Sequence, residues 1–267
     1  SDVCSSDLSQ LMRKTRRKDG FSDFITRFLK HYEGKNDQVI QINQLSNESG
    51  VEKRRLYDLM NVLVACGVCV KSSAHSYQWK GLGSLFGLLE KISVDIEVRA
   101  LNEDLDQLFV IRDSPAIGTL VVNFLGIFIY FGISSLNIRD IALIMTTDEE
   151  KSKPILRRLY LVAFLLERIG ILKHAQKVGE CMINTDLKAL QKKTFMELSK
   201  ERAFPPDCIE YQLNRFDDLY ISRLKTERKS QFIYQIQLRI RNAQNNNNEE
   251  DLNSNNKIFS YYVLNAN

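Results

Sequence analysis

The chain has 267 residues and a formal net charge of +4 at pH 7, and 44% of its residues are hydrophobic and 26% charged. These fractions are those of an ordinary globular protein and exclude collagen-like repeats and wholesale disorder. With 12 glycines and 4 prolines the chain has few breaks, and its length allows one large domain or two small ones.

A cluster of basic residues lies near the start of the sequence. Residues 1–12 show no apolar periodicity and are predicted to be an unstructured leader, without the apolar core of a signal peptide. The cations of the cluster, which follows at once, are Arg13, Lys14, Arg16, Arg17 and Lys18. Residues 1–80 hold 13 Lys and Arg against 9 Asp and Glu, whereas residues 81–110 hold 2 against 6. The basic charge is therefore concentrated in the first part of the chain.

Residues 21–80 show the pattern of three helices followed by two strands. The predicted segments are, in chain order, helices at 21–31, at 42–49 and from Arg54 to Gly67, and strands at 68–72 and 76–80. In the third helix Leu56, Leu59, Met60 and Leu63 share one face, and Gly67 is placed to end it. Three helices and a hairpin predict the winged form of the helix-turn-helix.

The third predicted helix carries a row of polar side chains beside its apolar face. Arg54, Asp58 and Asn61 recur at i, i+4 and i+7, and Arg55 lies next to them. In winged helices this helix enters the major groove, where one arginine can bond both O6 and N7 of a guanine. Asp58 lies one turn after Arg54 and is predicted to hold its guanidinium. The alternative is a plain surface ion pair worth about 0.3–0.5 kcal/mol.

Basic residues flank this helix on both sides. The cluster at residues 13–18 is predicted to contact phosphate or to act as a nuclear import signal, although such a run is often only a solvated tail. Lys71, in the first strand of the predicted wing, is a further candidate for DNA contact. Double-stranded DNA is therefore the predicted partner.

The five cysteines do not form a recognisable disulfide framework. They are Cys4, Cys66, Cys69, Cys181 and Cys208. An odd number in a long chain favours a reducing compartment. Cys66 and Cys69 form a lone CxxC with no second pair or histidine at a zinc spacing, so buried core thiols are predicted rather than metal ligands. No metal or other cofactor is expected.

The third helix recurs later in the chain. Arg54-Arg55-Leu56-Tyr57 reappears as Arg157-Arg158-Leu159-Tyr160, a shift of 103 residues, and Gly170 matches Gly67 at the same shift. Helical patterns at 120–130 and 138–145 precede the second copy, as two helices precede the first. The sequence predicts an α+β, mainly helical fold with two tandem winged-helix domains and a C-terminal extension of helices and a β-hairpin. The predicted domains are a leader at 1–12, a first winged helix at 13–82, an acidic helical linker at 83–113, a second, degenerate winged helix at 114–184 and the extension at 185–267.

The stretch between Asp113 and Arg139 carries no charge and is rich in Val, Phe and Ile from Leu120 to Ile133. It approaches the roughly 20 apolar residues of a membrane-spanning helix, but glycine, serine and asparagine interrupt it, so a buried helix is predicted instead. Because this helix is apolar nearly all round, it needs cover on more than one side. We expect it to pack against the first copy or the C-terminal hairpin, in a chain that binds DNA as an intramolecular pseudo-dimer.

The last third of the chain is predicted to combine helices with a hairpin. Residues 186–200 and 208–225 have helical patterns. Tyr234, Ile236, Leu238 and Ile240 alternate with polar residues, which predicts a strand, and residues 258–264 predict a second one. The asparagine-rich run at 245–256 is predicted to be a low-complexity loop between them.

These motifs together resemble one family. The ten residues from Arg54 to Leu63 read RRLYDLMNVL and resemble the RRxYDxxNVL signature of the E-two-F/DP transcription factors, the E-two promoter-binding factors of the cell cycle. Arg17-Lys18 resembles the basic lead-in of that family, and residues 77–81, YQWKG, resemble the end of its wing. The second copy is similar but has Leu161 in place of the Asp and Phe164 in place of the Asn. Two such domains in one chain resemble the atypical branch of the family, which binds DNA without a separate DP subunit.

The resemblance implies roles for individual residues. Arg54 and Arg55 would read the guanines of a TTTSSCGC-like promoter element. Tyr57 would pack near them or touch phosphate, and Asn61 would stabilise the helix or the backbone. In the second copy Arg157, Arg158 and Tyr160 are expected to contact DNA in the same way, unless Leu161 and Phe164 make that helix a packing partner only.

The predicted function is sequence-specific regulation of transcription in the nucleus, in cell-cycle gene control. A monomer is favoured, and a DP-like or other protein partner is a further expectation. The alternative is a non-catalytic interaction subunit of a larger nuclear complex on DNA. Catalysis is not expected, because the three histidines have no partners at a triad or metal spacing and no glycine-rich phosphate loop is present.

Overall fold

The computed structural model describes residues 20–111, 114–146, 149–201 and 217–246, which fall into two compact units. The first unit holds the described residues up to Leu89, together with Pro115–Val122 and Tyr160–Lys173. The second unit holds Glu90–Ser114, Asn123–Leu159 and the described residues from His174 onward. The leader and the basic cluster predicted at residues 1–18 lie outside the described residues.

The first unit opens with three helices and a three-stranded sheet. Its elements are, in chain order, α1 (Phe21–Tyr32), β1 (Val39–Gln41), α2 (Ile42–Ser49), α3 (Lys53–Ala65), β2 (Cys69–Lys71) and β3 (Ser76–Trp79). The middle strand is β3, which pairs antiparallel with both β1 and β2. The three predicted helices and the predicted hairpin are confirmed with closely similar bounds. The sequence pattern did not reveal β1, which completes the sheet.

Aromatic side chains join the wing to the first helix. Phe24, Phe28 and Tyr32 recur at i, i+4 and i+8 on α1 and are buried. The buried ring of Trp79, at the end of β3, lies 6.0 Å from the ring of Phe28 and 5.3 Å from that of Tyr32, centroid to centroid. Edge-on and tilted pairs of this kind add to the stabilisation that burial provides. This packing fixes the sheet against the helical part of the unit.

The remaining elements repeat the same order once and then add helices. Between the copies lie α4 (Leu85–Arg99) and α5 (Leu105–Phe109), where a helical linker was predicted. The second copy comprises α6 (Ile117–Phe131), β4 (Ser135–Asn137), α7 (Ile138–Met145), α8 (Glu149–Arg168), β5 (Leu172–His174) and β6 (Glu180–Ile183). Its strand order, β4-β6-β5, is the order β1-β3-β2 of the first sheet. The extension contains α9 (Leu187–Glu201) and α10 (Asp218–Asn246).

Glycines end α3 and α8 with the same hydrogen bonds. Gly67 has a φ of 72°, and the N–H of Val68 donates to the carbonyl of Leu63 at 2.9 Å. Gly170 has a φ of 83°, and the N–H of Ile171 donates to the carbonyl of Leu166 at 3.0 Å. A left-handed glycine followed by a bond back to the last turn is the Schellman way of ending a helix. The 103-residue repeat seen in the sequence is therefore also a repeat of local geometry.

The apolar helix α6 is covered on several sides within the second unit. The ring of Phe131 stacks edge-on against Phe232 of α10, with centroids 5.0 Å apart. The amide of Gln191, on α9, donates to the carbonyl of Ile129 at 3.1 Å. Gly126 lets Ile96 of α4 approach so closely that an added Cβ would lie 2.5 Å from its Cδ1. The expected cover on more than one side is confirmed, and none of the described helices is long and apolar enough to span a membrane.

The predicted strand from Tyr234 to Ile240 is wrong, because these residues lie inside α10. The alternating pattern is an accident of four positions. Over a longer window Arg228, Phe232 and Ile236 recur at helical spacing and are buried on one face. The helix runs for 29 residues without glycine or proline. The second predicted strand, at 258–264, and the loop beyond residue 246 lie outside the described residues.

Candidate nucleic-acid interface

The third helix of the first unit, α3, has a buried and an exposed face. Its predicted core residues are fully buried: Leu56, Leu59, Met60 and Leu63. The predicted polar residues Arg54, Arg55 and Asn61 are exposed, and Asp58 is partly exposed. Burial of the apolar face therefore fixes which side chains the helix offers to a partner.

The turn before α3 places both arginines at its start. Gly50 takes a φ of 70° at the end of α2, and its N–H donates to the carbonyl of Ser46 at 2.9 Å. After this turn α3 begins at Lys53, so Arg54 and Arg55 lie in its first turn. Peptide dipoles make the beginning of a helix positive, which adds to the attraction of these cations for phosphate.

Asp58 holds Arg55 and not Arg54. A carboxylate oxygen of Asp58 lies 3.5 Å from Nη1 of Arg55, one turn back at i, i+3. The prediction that Asp58 would hold the guanidinium of Arg54 is therefore wrong. Residues at i, i+3 and at i, i+4 are both neighbours on a helix, so the sequence does not decide which arginine Asp58 contacts. Within the described part of the chain Arg54 makes no hydrogen bond or ion pair, so its fork is free to bind a partner.

Tyr57 links α3 to the tip of the wing. Its hydroxyl lies 2.5 Å from Nδ1 of His75 and shares a hydrogen bond with it. His75 lies in the turn between β2 and β3 and is exposed. His75 is a site residue that the sequence pattern did not reveal, and its place in the predicted hairpin turn was the signal available. This bond fixes the tip of the wing relative to α3.

The wing carries the remaining described candidate. Lys71 ends β2, opposite Tyr77 of β3, and its side chain is exposed. A second wing cation, Lys80, is held by Asp37 at 2.6 Å. Among the described residues Lys71 has no such carboxylate partner, so its ammonium group is available to a ligand. Lys80 instead stabilises the domain through its ion pair with Asp37. Arg13, Lys14, Arg16, Arg17 and Lys18 lie outside the described residues.

Cys66 and Cys69 are core residues, as predicted. Their residue exposures are 0% and 1%. Burial raises the pKa of each thiol to about 12. Both are therefore protonated at neutral pH in the folded domain. Within the described ranges no group of three or more His, Cys, Asp or Glu residues is arranged to hold a metal ion.

Comparison with known proteins agrees with this arrangement. Residues 17–81 match the family model of the E-two-F/DP family winged-helix DNA-binding domain. These residues are an E-two-F/DP winged-helix domain.

Several curated proteins are similar to part of the chain. The transcription factor-like protein E2FE of Arabidopsis thaliana is 30% identical over 78 residues, which are 29% of this chain and 19% of that protein. Transcription factor efl-3 of Caenorhabditis elegans is 32% identical over 74 residues, 28% of this chain and 12% of that protein. Transcription factor E2F4 of Xenopus laevis is 30% identical over 104 residues, 38% of this chain and 28% of that protein. The chain therefore spans under a third of the length of each of these relatives. No solved structure matches the chain.

The helix α8, which matches α3 at the 103-residue shift, differs from α3 in its surroundings. On α8, Arg157 and Tyr160 are exposed and Arg158 is half-buried. Arg157 belongs to the second unit, whereas Tyr160 belongs to the first. Phe164, at the position of Asn61, packs against Phe21 of α1 with ring centroids 6.3 Å apart. The position that holds the polar Asn61 in α3 therefore holds an apolar residue in α8, and this residue makes a contact within the first unit.

The helix before α8, α7, buries the face that its counterpart α2 exposes. In α2 of the E-two-F/DP domain, Gln44 donates to a carboxylate oxygen of Glu48 at 2.8 Å, and this pair is exposed. At the same places in α7 lie Asp140 and Ile144, which are both buried. Nearby, Arg239 of α10 donates to the carbonyl of Thr146, just after α7. The second copy therefore uses for packing a face that the first copy leaves in water.

Proposed function

We propose that this chain is a sequence-specific, double-stranded DNA-binding regulator of transcription of the E-two-F type. The observation that carries the proposal is the exposed Arg54-Arg55 pair in the first turn of α3, inside a domain of the E-two-F/DP family. The proposed site of action is the nucleus, at GC-containing promoter elements of cell-cycle genes. The named relatives are transcription factors, which supports regulation rather than DNA binding alone.

The two arginines have different parts in this proposal. Arg54, free of protein partners in the described chain, reads a guanine through O6 and N7. Asp58, at 3.5 Å, orients Arg55. Arg55 reads the neighbouring guanine of the GC-containing element. A surface ion pair of this kind is weak, at about 0.3–0.5 kcal/mol, so Arg55 can exchange its carboxylate for a base without a large penalty.

Phosphate contacts come from both sides of the recognition helix. Lys71 on the wing lies against the phosphate backbone of the DNA. The hydrogen bond between Tyr57 and His75 keeps the wing beside α3. The basic cluster at 13–18 contacts phosphates before α1. Such contacts contribute affinity and register but little specificity.

The second copy is proposed to be a diverged winged helix. Its element order, its strand order and its Gly170 helix end all repeat those of the E-two-F/DP domain. Gly118, at the start of α6, approaches Ala65 at the end of α3 within the first unit, where an added Cβ would lie 3.5 Å from that of Ala65. These contacts support a chain that binds one DNA site as a monomer with two winged helices.

A second candidate is a non-catalytic interaction subunit of a nuclear complex on DNA. The buried residues of α7 and the Phe164 contact favour it, because both use for packing positions that are wholly or partly exposed in the first copy. A protein partner, DP-like or of another kind, would then complete the DNA-binding surface. A gel-shift assay with the isolated chain separates the candidates. Binding to a TTTSSCGC-type duplex without a partner supports the regulator, and no binding until a second protein is added supports the subunit.

A further inference from the structure

A cavity in the second unit has no part in the proposed DNA contacts. It has a volume of about 660 Å³ and lies between α4, α9 and α10, with Tyr130 of α6 also in its wall. The other large apolar side chains in its wall are those of Val98, Leu101, Phe195, Leu198, Tyr220 and Leu224. Helices that enclose a cleft of this kind commonly form binding sites.

Apolar residues at the mouth of this cavity are open to solvent. Leu101 is 65% exposed, Val98 45% and Tyr220 44%. Single exposed apolar residues are ordinary, but several around one cleft indicate a surface that binds another molecule.

The wall that α10 provides is one continuous face of that helix. Tyr220, Leu224, Glu227 and Gln231 line the cavity at i, i+4, i+7 and i+11. At 1.5 Å per residue this row is about 16 Å long, or three helical turns. An amphipathic helix presents its anchors at i, i+3 or i+4, and i+7 over the same length. The length of this row therefore matches that of a helical segment of about three turns.

The charges that line the groove indicate which charged residue the bound segment should carry. Two carboxylates line it, and one of them, Glu97, is already neutralised by Arg228 through bonds of 2.5 and 2.7 Å. The other, Glu227, is exposed and makes no hydrogen bond or ion pair within the described part of the chain. The free charge in the groove is therefore negative, and a cation of the bound segment would pair with it.

We propose that this groove binds an amphipathic helix of another protein, with apolar side chains at i, i+4 and i+7 and a lysine or arginine set against Glu227. The inference goes beyond the proposed function and does not depend on it. Two other occupants, a second copy of this chain and the chain's own residues 202–216, are outcomes of the test below.

The test is selection from a displayed library of 16-residue helical peptides on the whole chain. The expected result is an enriched consensus of three apolar positions at helical spacing with one basic position. Synthetic peptides with that consensus should bind the Leu224→Glu variant about tenfold more weakly or worse, because a carboxylate then lies in the apolar wall. Tyr234→Glu is the matched control, since Tyr234 is exposed on the same helix and does not line the cavity. The Tyr234→Glu variant should bind the consensus peptides as tightly as the parent chain does.

Glu227→Lys keeps the test independent of folding, because it reverses the charge of an exposed side chain and leaves the core unchanged. Selection on this variant should replace the basic consensus position by an acidic one. The proposal is overturned if no consensus is enriched, if the consensus binds Leu224→Glu and the parent equally, or if Glu227→Lys leaves the basic position unchanged. Binding that appears only after residues 205–212 are replaced by a Gly-Ser linker assigns the groove to the chain itself. Concentration-dependent dimerisation lost in Leu224→Glu assigns it to a second copy.

Discussion

The buried ion pair between Glu97 and Arg228 predicts a large loss of stability when one partner is removed. The side chains are 5% and 8% exposed, and two hydrogen bonds of 2.5 and 2.7 Å join them. Arg228 also lies over the ring of Tyr130, with its Cζ 4.0 Å from the centroid. Removing one charge leaves the other buried without compensation, at a cost of about 3–5 kcal/mol. Glu97→Ala and Arg228→Met should therefore each destabilise the second unit by roughly that amount.

Thermal unfolding followed by circular dichroism measures this loss. For a domain of about 150–250 residues, a loss of about 1 kcal/mol in the free energy of unfolding lowers Tm by about 2–4 °C. Each variant should therefore lower Tm by roughly 10 °C. Burial lowers the pKa of Arg228, but its bonds and charge attraction to Glu97 outweigh burial and raise the pKa above its ordinary value. A cation whose pKa is raised on folding contributes its stability at all pH values below the unfolded pKa, so the loss should not vary between about pH 6 and 8.

Two controls sharpen the experiment. Lys193 and Glu90 form an exposed pair at 2.5 Å in the same unit, with side chains 62% and 44% exposed. Glu90→Ala should cost at most about 1 kcal/mol, because water screens this pair. The double variant Glu97→Leu with Arg228→Met should recover most of the lost stability, since no unpaired charge remains. Equal and small effects of Glu97→Ala and Glu90→Ala would refute the reasoning.

Three further predictions concern the rest of the chain. In a Cys4→Ser, Cys208→Ser variant the remaining thiols should react with a disulfide reagent only after unfolding, because Cys66, Cys69 and Cys181 are buried; fast reaction of the native protein would contradict this. Neutralising the five cations at residues 13–18 should flatten the salt dependence of DNA binding, by a log–log slope of about 0.9 per lost phosphate contact, without changing the preferred sequence. Phe164→Asn should lower thermal stability by roughly 1–3 kcal/mol through loss of the contact with Phe21, and an unchanged Tm would show that this contact is not needed.

Much of the fold could be predicted from local sequence. Apolar spacing on α1 and α3, and glycines at the helix ends, are signals carried by neighbouring residues, and the structure places these helices where the pattern put them. The 103-residue repeat likewise predicted a second set of elements in the same order. In these segments local preference and tertiary packing agree, so short-range patterns suffice.

What could not be predicted depends on contacts between distant residues. The strand β1 has three residues and exists because it pairs with β3, whose Tyr77 lies opposite Ile40. Residues 234–240 alternate over a short window, and only burial of Phe232 and Ile236 against other helices reveals α10. The choice of Asp58 between two arginines depends on side-chain rotamers, and the Tyr57–His75 bond depends on the fold of the wing.

The direct test of the central claim is a titration of labelled duplexes with the chain and with Arg54→Ala, followed by fluorescence anisotropy. On a TTTSSCGC-type duplex the substitution should weaken binding by about 1–3 kcal/mol, roughly 5- to 150-fold, because a bidentate contact to guanine is lost. On a duplex whose GC step is replaced by A·T pairs, the variant and the parent should bind alike. Equal affinity of Arg54→Ala and the parent for the TTTSSCGC-type duplex would contradict the account.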